Sequence, residues 1–252
     1  MSRLSLLNIL QNLPIGCSYE ESLKIMPQAE SWLVKEKERL EQMYAFQESF
    51  WPINSSAGCD EVGRGPWAGP LVAAAVILPQ RTWIPGLNDS KKLAEEVRQL
   101  LVPWIKKLAN WSISEISLTE LDAINNINST SLLAMHRSLD QLNPRAQFVF
   151  IDGRSKMANC PVPQAALIKG DAHIPAIAAA SIIAKVYRDN LLNEAHNRWP
   201  QYQFKENKGY GTAAHRQALT QFGPCPYHRR TFAPIKQLIE TSQLIPEQAV
   251  LF

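Results

Sequence analysis

The spacing of apolar and polar positions divides the chain near residue 52. Upstream there is no strand-like run. Residues 4–12, 18–26 and 28–50 carry helical periodicity, punctuated by Pro14 and Pro27. Leu33, Leu40, Met43, Tyr44 and Phe50 make a helical stripe, and Lys35, Glu36, Lys37, Glu38, Arg39 and Glu41 read as a solvated face. Downstream, residues 57–62 read as the end of a buried strand. Residues 71–78 are continuously apolar, which predicts a strand buried on both faces. A helix opens within residues 88–93, capped by Asp89 or Ser90, and runs to about residue 109 with Pro103 splitting or kinking it. Residues 111–118 alternate like a strand, and Thr119 caps an interrupted helix to about residue 142. Residues 147–152 form a strand that ends at Asp152, and residues 165–169 a shorter one. Residues 174–199 form a long helix, apolar nearly all round at its start, and Thr212 caps a last helix that Gly223 closes. This order of strands and helices predicts an α/β fold.

Composition narrows the picture modestly. The 252 residues are 46% hydrophobic, ample for a sizeable core. A net charge of +3 permits nucleic-acid binding without demanding it. Cys17, Cys59, Cys160 and Cys225 form no Cys-x-x-Cys pair and read as reduced thiols of an intracellular protein. No apolar run approaches the roughly 18 residues needed to span a membrane, and the N-terminus lacks the features of a signal peptide, so a soluble cytoplasmic protein is expected. Residues 1–52 hold seven Glu against five Lys plus Arg and suit phosphate poorly. Residues 198–236 hold seven Lys plus Arg against Glu206 alone, interleaved with Tyr210, Tyr227, His215 and His228. Basic residues among aromatics suit a nucleic-acid backbone, a solvated basic surface being the alternative. The last 15 or so residues read as a tail or docking peptide.

The chemistry is read from acids in apolar surroundings: Asp60, Glu61, Asp152 and Asp171. Adjacent strand residues point to opposite faces, so Asp60 and Glu61 share a site only if the strand ends or bulges at Gly63-Arg64-Gly65. Glycines there permit positive φ and close approach of backbone to a ligand. Four converging carboxylates repel one another unless cations intervene. Hard oxygen ligands select Mg²⁺ or Mn²⁺. Two such ions about 4 Å apart serve in-line phosphoryl displacement. Lys91 and Lys92, placed against the dipole of a helix first turn, hint at a phosphate contact, and Ser181, Lys185 and Asp189 share one helix face.

Together these stretches resemble a known family. Cys59-Asp-Glu-Val-Gly-Arg-Gly65, Asp89-Ser-Lys-Lys-Leu93, Ile151-Asp-Gly153, Lys169-Gly-Asp-Ala172, Ala178-Ala-Ala-Ser-Ile-Ile-Ala-Lys185 and Lys208-Gly-Tyr-Gly-Thr212 resemble the ordered motifs of ribonuclease HII. Thr231-Phe-Ala-Pro234 is similar to the segment before that family's C-terminal helix. The resemblance covers roughly residues 55–240. It implies a ribonuclease H-like mixed five-stranded sheet flanked by helices. Together with the pattern above, this gives a catalytic domain over residues 53–252 with a basic helical C-terminal region, and leaves residues 1–52, outside the match, as a helical extension. It implies a monomeric endonuclease that cleaves the RNA of RNA–DNA hybrids, and 5′ to single ribonucleotides in duplex DNA, with two Mg²⁺ or Mn²⁺ ions, leaving 5′-phosphate and 3′-hydroxyl ends. Asp60, Glu61, Asp152 and Asp171 match its metal-binding carboxylates. Gly63, Arg64 and Gly65 match its turn that reads the 2′-hydroxyl, and Tyr210 its tyrosine that packs on the following sugar. Lys91, Lys92, Ser181 and Lys185 match motif positions near phosphate. Three alternatives stand beside this reading. A ribonuclease HIII would need a larger N-terminal substrate-binding domain and a Glu where this chain has Asp171. A non-catalytic hybrid-binding protein would not need all four acids, and a metal phosphatase would not need the basic aromatic region.

Overall fold

The computed structural model describes residues 5–79 and 81–243; the tail expected at the C-terminus lies mostly outside them. Its centre is a mixed five-stranded sheet in the order β3-β2-β1-β4-β5, with β1 Ser56–Val62, β2 Leu71–Ile77, β3 Asn110–Ile116, β4 Phe148–Asp152 and β5 Gln164–Leu167. β2 runs antiparallel to β1, and β4 and β5 continue parallel on the other side. All seven residues of β2 are buried, as its unbroken apolar run requires.

Helices α1 Leu6–Asn12, α2 Tyr19–Ile25 and α3 Glu30–Glu48 precede the sheet. Then come α4 Glu95–Leu108, α5 Leu118–Ile124, α6 Ile127–Asp140, α7 Pro175–Arg198, the single turn α8 Phe204–Asn207, α9 Ala213–Phe222 and α10 Ala233–Gln243. The chain forms two compact units. One takes in the described residues of Met1–Val62, Val72–Ser114 and Leu132–Val186; the other Gly63–Leu71, Glu115–Ser131 and the described residues of Tyr187–Phe252.

Within the first unit, α3 is tied to its neighbours by side chains. Tyr44 donates to the Thr82 carbonyl at 2.8 Å and Gln47 to the Ser56 hydroxyl at 3.0 Å. Leu33, Leu40, Met43 and Tyr44 are buried as the stripe predicts, whereas Phe50 is exposed beyond the helix. Glu36, expected on the solvated face, is buried instead. It accepts the Gly86 amide at 2.8 Å and pairs with Arg39, contacts that offset its desolvation.

Three local expectations are corrected. Asp89 caps a short 3-10 turn, Ser90–Lys92, and α4 begins only at Glu95. Lys91 and Lys92 are therefore not in the first turn of α4, which carries Glu95 and Glu96 as the dipole favours. Pro103 does not split α4, which continues to Leu108. Ser117, not Thr119, caps α5, accepting the Glu120 amide at 3.2 Å.

The position of α7 depends on one glycine. A Cβ on Gly58 of β1 would lie 2.2 Å from the Ile177 nitrogen, so α7 backbone rests directly on the strand. Ala176 and Ile177 join Phe148, Phe150 and Ile174 in a buried cluster there. Gly58→Ala should therefore lower stability by about 2 kcal/mol or more. Urea unfolding measures it, and a wild-type midpoint would contradict the close approach.

Candidate active site

Three of the four expected acids converge. Carboxylate oxygens of Asp60, Asp152 and Asp171 lie within 4.8 Å of one another, and no other group of three or more such ligands is found among the described residues. Asp60 comes from β1, Asp152 is the last residue of β4, and Asp171 sits in the 3-10 turn Gly170–Ala172 that follows β5. Parallel pairing of β1 with β4 and of β4 with β5 brings these strand ends side by side. The Gly170 amide donates to Asp152 at 2.8 Å, fastening one acid to the turn that carries another.

Glu61 is not in that group of three. β1 stays regularly paired through Glu61 and Val62, without a bulge, so Glu61 points away from the face that Asp60 occupies. It still acts on Asp60: its amide donates to Asp60 at 2.7 Å, and its charge adds to the repulsion there. The sequence reading missed Asp89 as part of this neighbourhood. The Asp89 carboxyl hydrogen-bonds that of Asp171, and its signal was its place in the Asp-Ser-Lys-Lys motif.

Burial, then the charges of Glu61 and Asp152, push the Asp60 pKa well up. Asp152 is raised by burial. Asp171 is pushed up to about 6 by burial and then by Asp152. Lys91 stands 4.0 Å from Asp171; burial works against its charge, but Asp60, Asp171, Asp89 and Asp152 outweigh it and raise its pKa. Ser181 on α7 is buried and hydrogen-bonds both the Ser90 hydroxyl, at 2.8 Å, and Asp60. Lys185 lies one turn further along α7, half-buried, and Lys92 is exposed. A compact set of hard oxygen donors that repel one another fits divalent cations such as Mg²⁺ or Mn²⁺.

The second unit holds the glycine turn and Tyr210. Gly63 has φ +96°, and a Cβ there would stand 2.4 Å from the Arg188 side chain. Arg64 hydrogen-bonds Asn128. Tyr210 is 49% exposed, and a Cβ on Gly65 would touch its ring at 3.4 Å.

Two residues that the sequence reading did not single out fix this turn. Arg188, fully buried, donates to the carbonyls of Pro70, Ala68 and Lys208 at 2.9–3.0 Å. Arg229, equally buried, donates to those of Gly63, Arg64, Gly69 and Pro70. Arg229 was expected on the basic surface. Burial and the neighbouring Arg188 lower its pKa to about 9. His215 and His228 leave that surface too, being buried. No local signal in the sequence marked Arg188, since it lies in the polar half of α7 beside Lys185, Asp189 and Asn190.

Comparison with known proteins identifies the family. The ribonuclease HII family model matches residues 57–235. Ribonuclease HII of Caldanaerobacter subterraneus subsp. tengcongensis is 41% identical over 236 residues, 92% of this chain and 97% of its own. That of Syntrophotalea carbinolica is 47% identical over 184 residues, 73% and 87% of the two chains. The first relative leaves only about 20 residues of this chain unaligned, so much of residues 1–52 lies within that likeness. The crystal structure of ribonuclease H2 from Pyrococcus horikoshii OT3 superposes with TM-score 0.63 at 22% identity, covering 75% of this chain and 99% of that one. Bst-RNase HIII in complex with Mn²⁺ gives 0.58 at 18%, covering 76% and 71%. At these identities the two structures share the fold.

The raised acids make a stability prediction. A carboxyl whose folded pKa exceeds its unfolded value stabilises the fold below that window and loses the contribution as pH rises through it. Without divalent ions, wild type should lose on the order of 2 kcal/mol relative to Asp171→Asn between about pH 4 and pH 7. Comparing the two proteins cancels titrating groups remote from Asp171, so the difference reports Asp171 together with the neighbours it perturbs, Asp152 and Lys91. Adding Mn²⁺ at neutral pH should raise the wild-type melting temperature more than that of the variant. Parallel pH profiles would contradict the assignment.

Proposed function

The chain belongs to the ribonuclease HII family, and from that membership we propose a cut 5′ to single ribonucleotides embedded in duplex DNA, beside the ribonuclease H activity on RNA–DNA hybrids that the family carries. The products would be 5′-phosphate and 3′-hydroxyl ends, and the role removal of ribonucleotides from DNA. The observation that carries this reading is the buried convergence of Asp60, Asp152 and Asp171 in a chain of this family.

In this reading Asp60, Asp152 and Asp171 hold two divalent ions, Mg²⁺ or Mn²⁺, with Glu61 joining when substrate and ions reshape its surroundings. Bound ions would neutralise charge on the scissile phosphate and ease ionisation of the attacking water. The protein's own groups do the rest. The carboxylates fix where the ions sit, and the Gly170 amide and Ser181 hold two of those carboxyls in place. Lys91, at 4.0 Å from Asp171, supplies positive charge that a phosphate would also meet, with Lys92 and Lys185 as further phosphate contacts. Gly63, Arg64 and Gly65 offer main-chain groups to a 2′-hydroxyl, the group that separates RNA from DNA at one sugar. Tyr210 stacks on the next sugar and leaves no room for a second hydroxyl.

Residues 1–52 serve as a helical extension outside the chemistry, on a catalytic domain of residues 53–252. No described helix is long and apolar enough to cross a membrane. The proposal takes the enzyme as a cytoplasmic monomer.

The test is incubation with duplex DNA bearing one ribonucleotide, and with an RNA–DNA hybrid, in Mg²⁺, Mn²⁺ or chelator. Cleavage 5′ to the ribonucleotide, abolished by chelator, is expected; equal cutting in chelator, or no cutting of the single-ribonucleotide duplex, would overturn the reading. Asp60→Asn or Asp152→Asn should cut at least about a hundredfold more slowly while still binding duplex in a gel-shift assay. Loss of folding in those variants would assign the acids a structural role instead.

A further inference from the structure

Tyr210 lies in Gly209-Tyr-Gly211, where glycines on both sides leave the main chain free unless something else fixes it. Its amide donates to the Asn207 carbonyl at 2.9 Å. Its own carbonyl accepts the Thr212 amide at 2.8 Å and, from the opposite partner, the His215 Nδ1 at 2.9 Å.

His215 is fully buried, and its other ring nitrogen, Nε2, lies 2.9 Å from Nε2 of the equally buried His228. The Cys225 amide reaches His228 Nδ1 at 3.0 Å. The Cys225 thiol and carbonyl also lie 3.2 Å from that nitrogen, so the Cys225 contacts alone do not assign its proton. The Tyr210 carbonyl can only accept, so the His215 proton sits on Nδ1. In a neutral ring His215 Nε2 is then bare, and the proton between the two Nε2 atoms belongs to His228. His228 Nδ1 is bare in turn and accepts the Cys225 amide, so the Tyr210 carbonyl and the imidazole pair together set both tautomers.

The surroundings suit two neutral rings. Tyr202 stands 4.8 Å from His228 and Phe204 5.5 Å from each imidazole, between ring centres. Trp67 lies 5.8 Å from His215. Burial lowers both pKa values, that of His228 to about 4 with His215 adding to the effect.

We propose that His215 is a positioning residue for Tyr210, holding the tyrosine main chain through an Nδ1-protonated tautomer that the Nε2 proton of His228 supports. The inference rests on the sugar-reading role proposed for Tyr210 and adds the device that keeps its ring in register.

The experiment compares two substitutions at His215. In His215→Asn the side-chain amide nitrogen falls near the position of Nδ1, so it keeps the bond to Tyr210 and gives up His228. In His215→Gln the amide falls near Nε2, so it keeps His228 and gives up Tyr210. Each variant, with Tyr210→Ala beside it, is assayed for kcat/KM on single-ribonucleotide duplex and on RNA–DNA hybrid, and the ratio is read. His215→Gln should lower that ratio about three- to tenfold, the effect of one lost hydrogen bond, and His215→Asn should keep it within about twofold. A merely structural histidine would lower both activities in proportion in both variants, and an unchanged ratio in His215→Gln would overturn the inference. If Tyr210→Ala alters the ratio but His215→Gln does not, only this inference fails; if Tyr210→Ala leaves it unchanged, the sugar-reading role falls too. Should His215→Gln not fold, ¹⁵N NMR of the wild-type imidazoles decides. Protons on His215 Nδ1 and His228 Nε2 are expected, and an Nε2 proton on His215 would refute the proposal.

Discussion

Repulsion among buried carboxylates is the constraint from which the rest of the first unit follows. Asp60, Asp152 and Asp171 share a space in which their oxygens lie within 4.8 Å, and burial alone already disfavours each charge. A fold selected for stability alone would place apolar side chains here. This one instead invests structure in holding the acids together: two parallel strand pairings, a glycine that lets α7 touch β1, and an amide bond from Gly170 to Asp152. An unfavourable electrostatic arrangement held this firmly fits a binding site for positive charge.

The second unit solves the opposite problem. Arg188 and Arg229 are cations in the interior, yet their guanidinium groups are met by main-chain carbonyls of residues 63–70 and of Lys208. A planar fork of donors suits several carbonyls at once, which a lysine could not match. The turn gains a fixed shape because its oxygens are already engaged. One set of charges is held together against its own repulsion, and the other is met by carbonyls of the chain itself. The backbone passes from the first arrangement to the second between Val62 and Gly63.

Much of this was legible in the sequence, for identifiable reasons. The strands were visible from short apolar runs and, for residues 111–118, from alternation, and Asp60 and Asp152 stood out as charges at or near the ends of apolar runs. Asp171 stood out in the same way, just after the short strand expected over residues 165–169. What failed was whatever depends on a partner distant in sequence. Glu36 looks solvated by local periodicity and is buried only because the Gly86 amide, fifty positions away, meets it. Arg229 looked like part of a basic surface until the carbonyls of a remote loop surrounded it. The boundaries of α4 and α5 slipped because several residues near each start could cap a helix, and tertiary packing chose among them. Glu61 stands apart for a different reason: the bulge expected at its strand end is absent, the pairing of β1 with β2 stays regular, and its charge still bears on Asp60.

Under the proposed reading, the enzyme must accept a hydroxyl on one sugar and refuse it on the next. These two tasks differ in what they demand of the protein. Acceptance by main-chain groups tolerates small movements, because a hydrogen bond weakens gradually over a few tenths of an ångström. Refusal by an aromatic ring does not, because a ring that can retreat by the depth of a hydroxyl no longer excludes it. Tyr210 is largely exposed and sits between two glycines, so its own side chain cannot supply that rigidity. Its carbonyl, shared between Thr212 and His215, is the point at which the buried interior can supply it. The histidine pair is then more than filling for an aromatic core, because it carries the stiffness of that core to an exposed residue through the bond from His215 to the Tyr210 carbonyl.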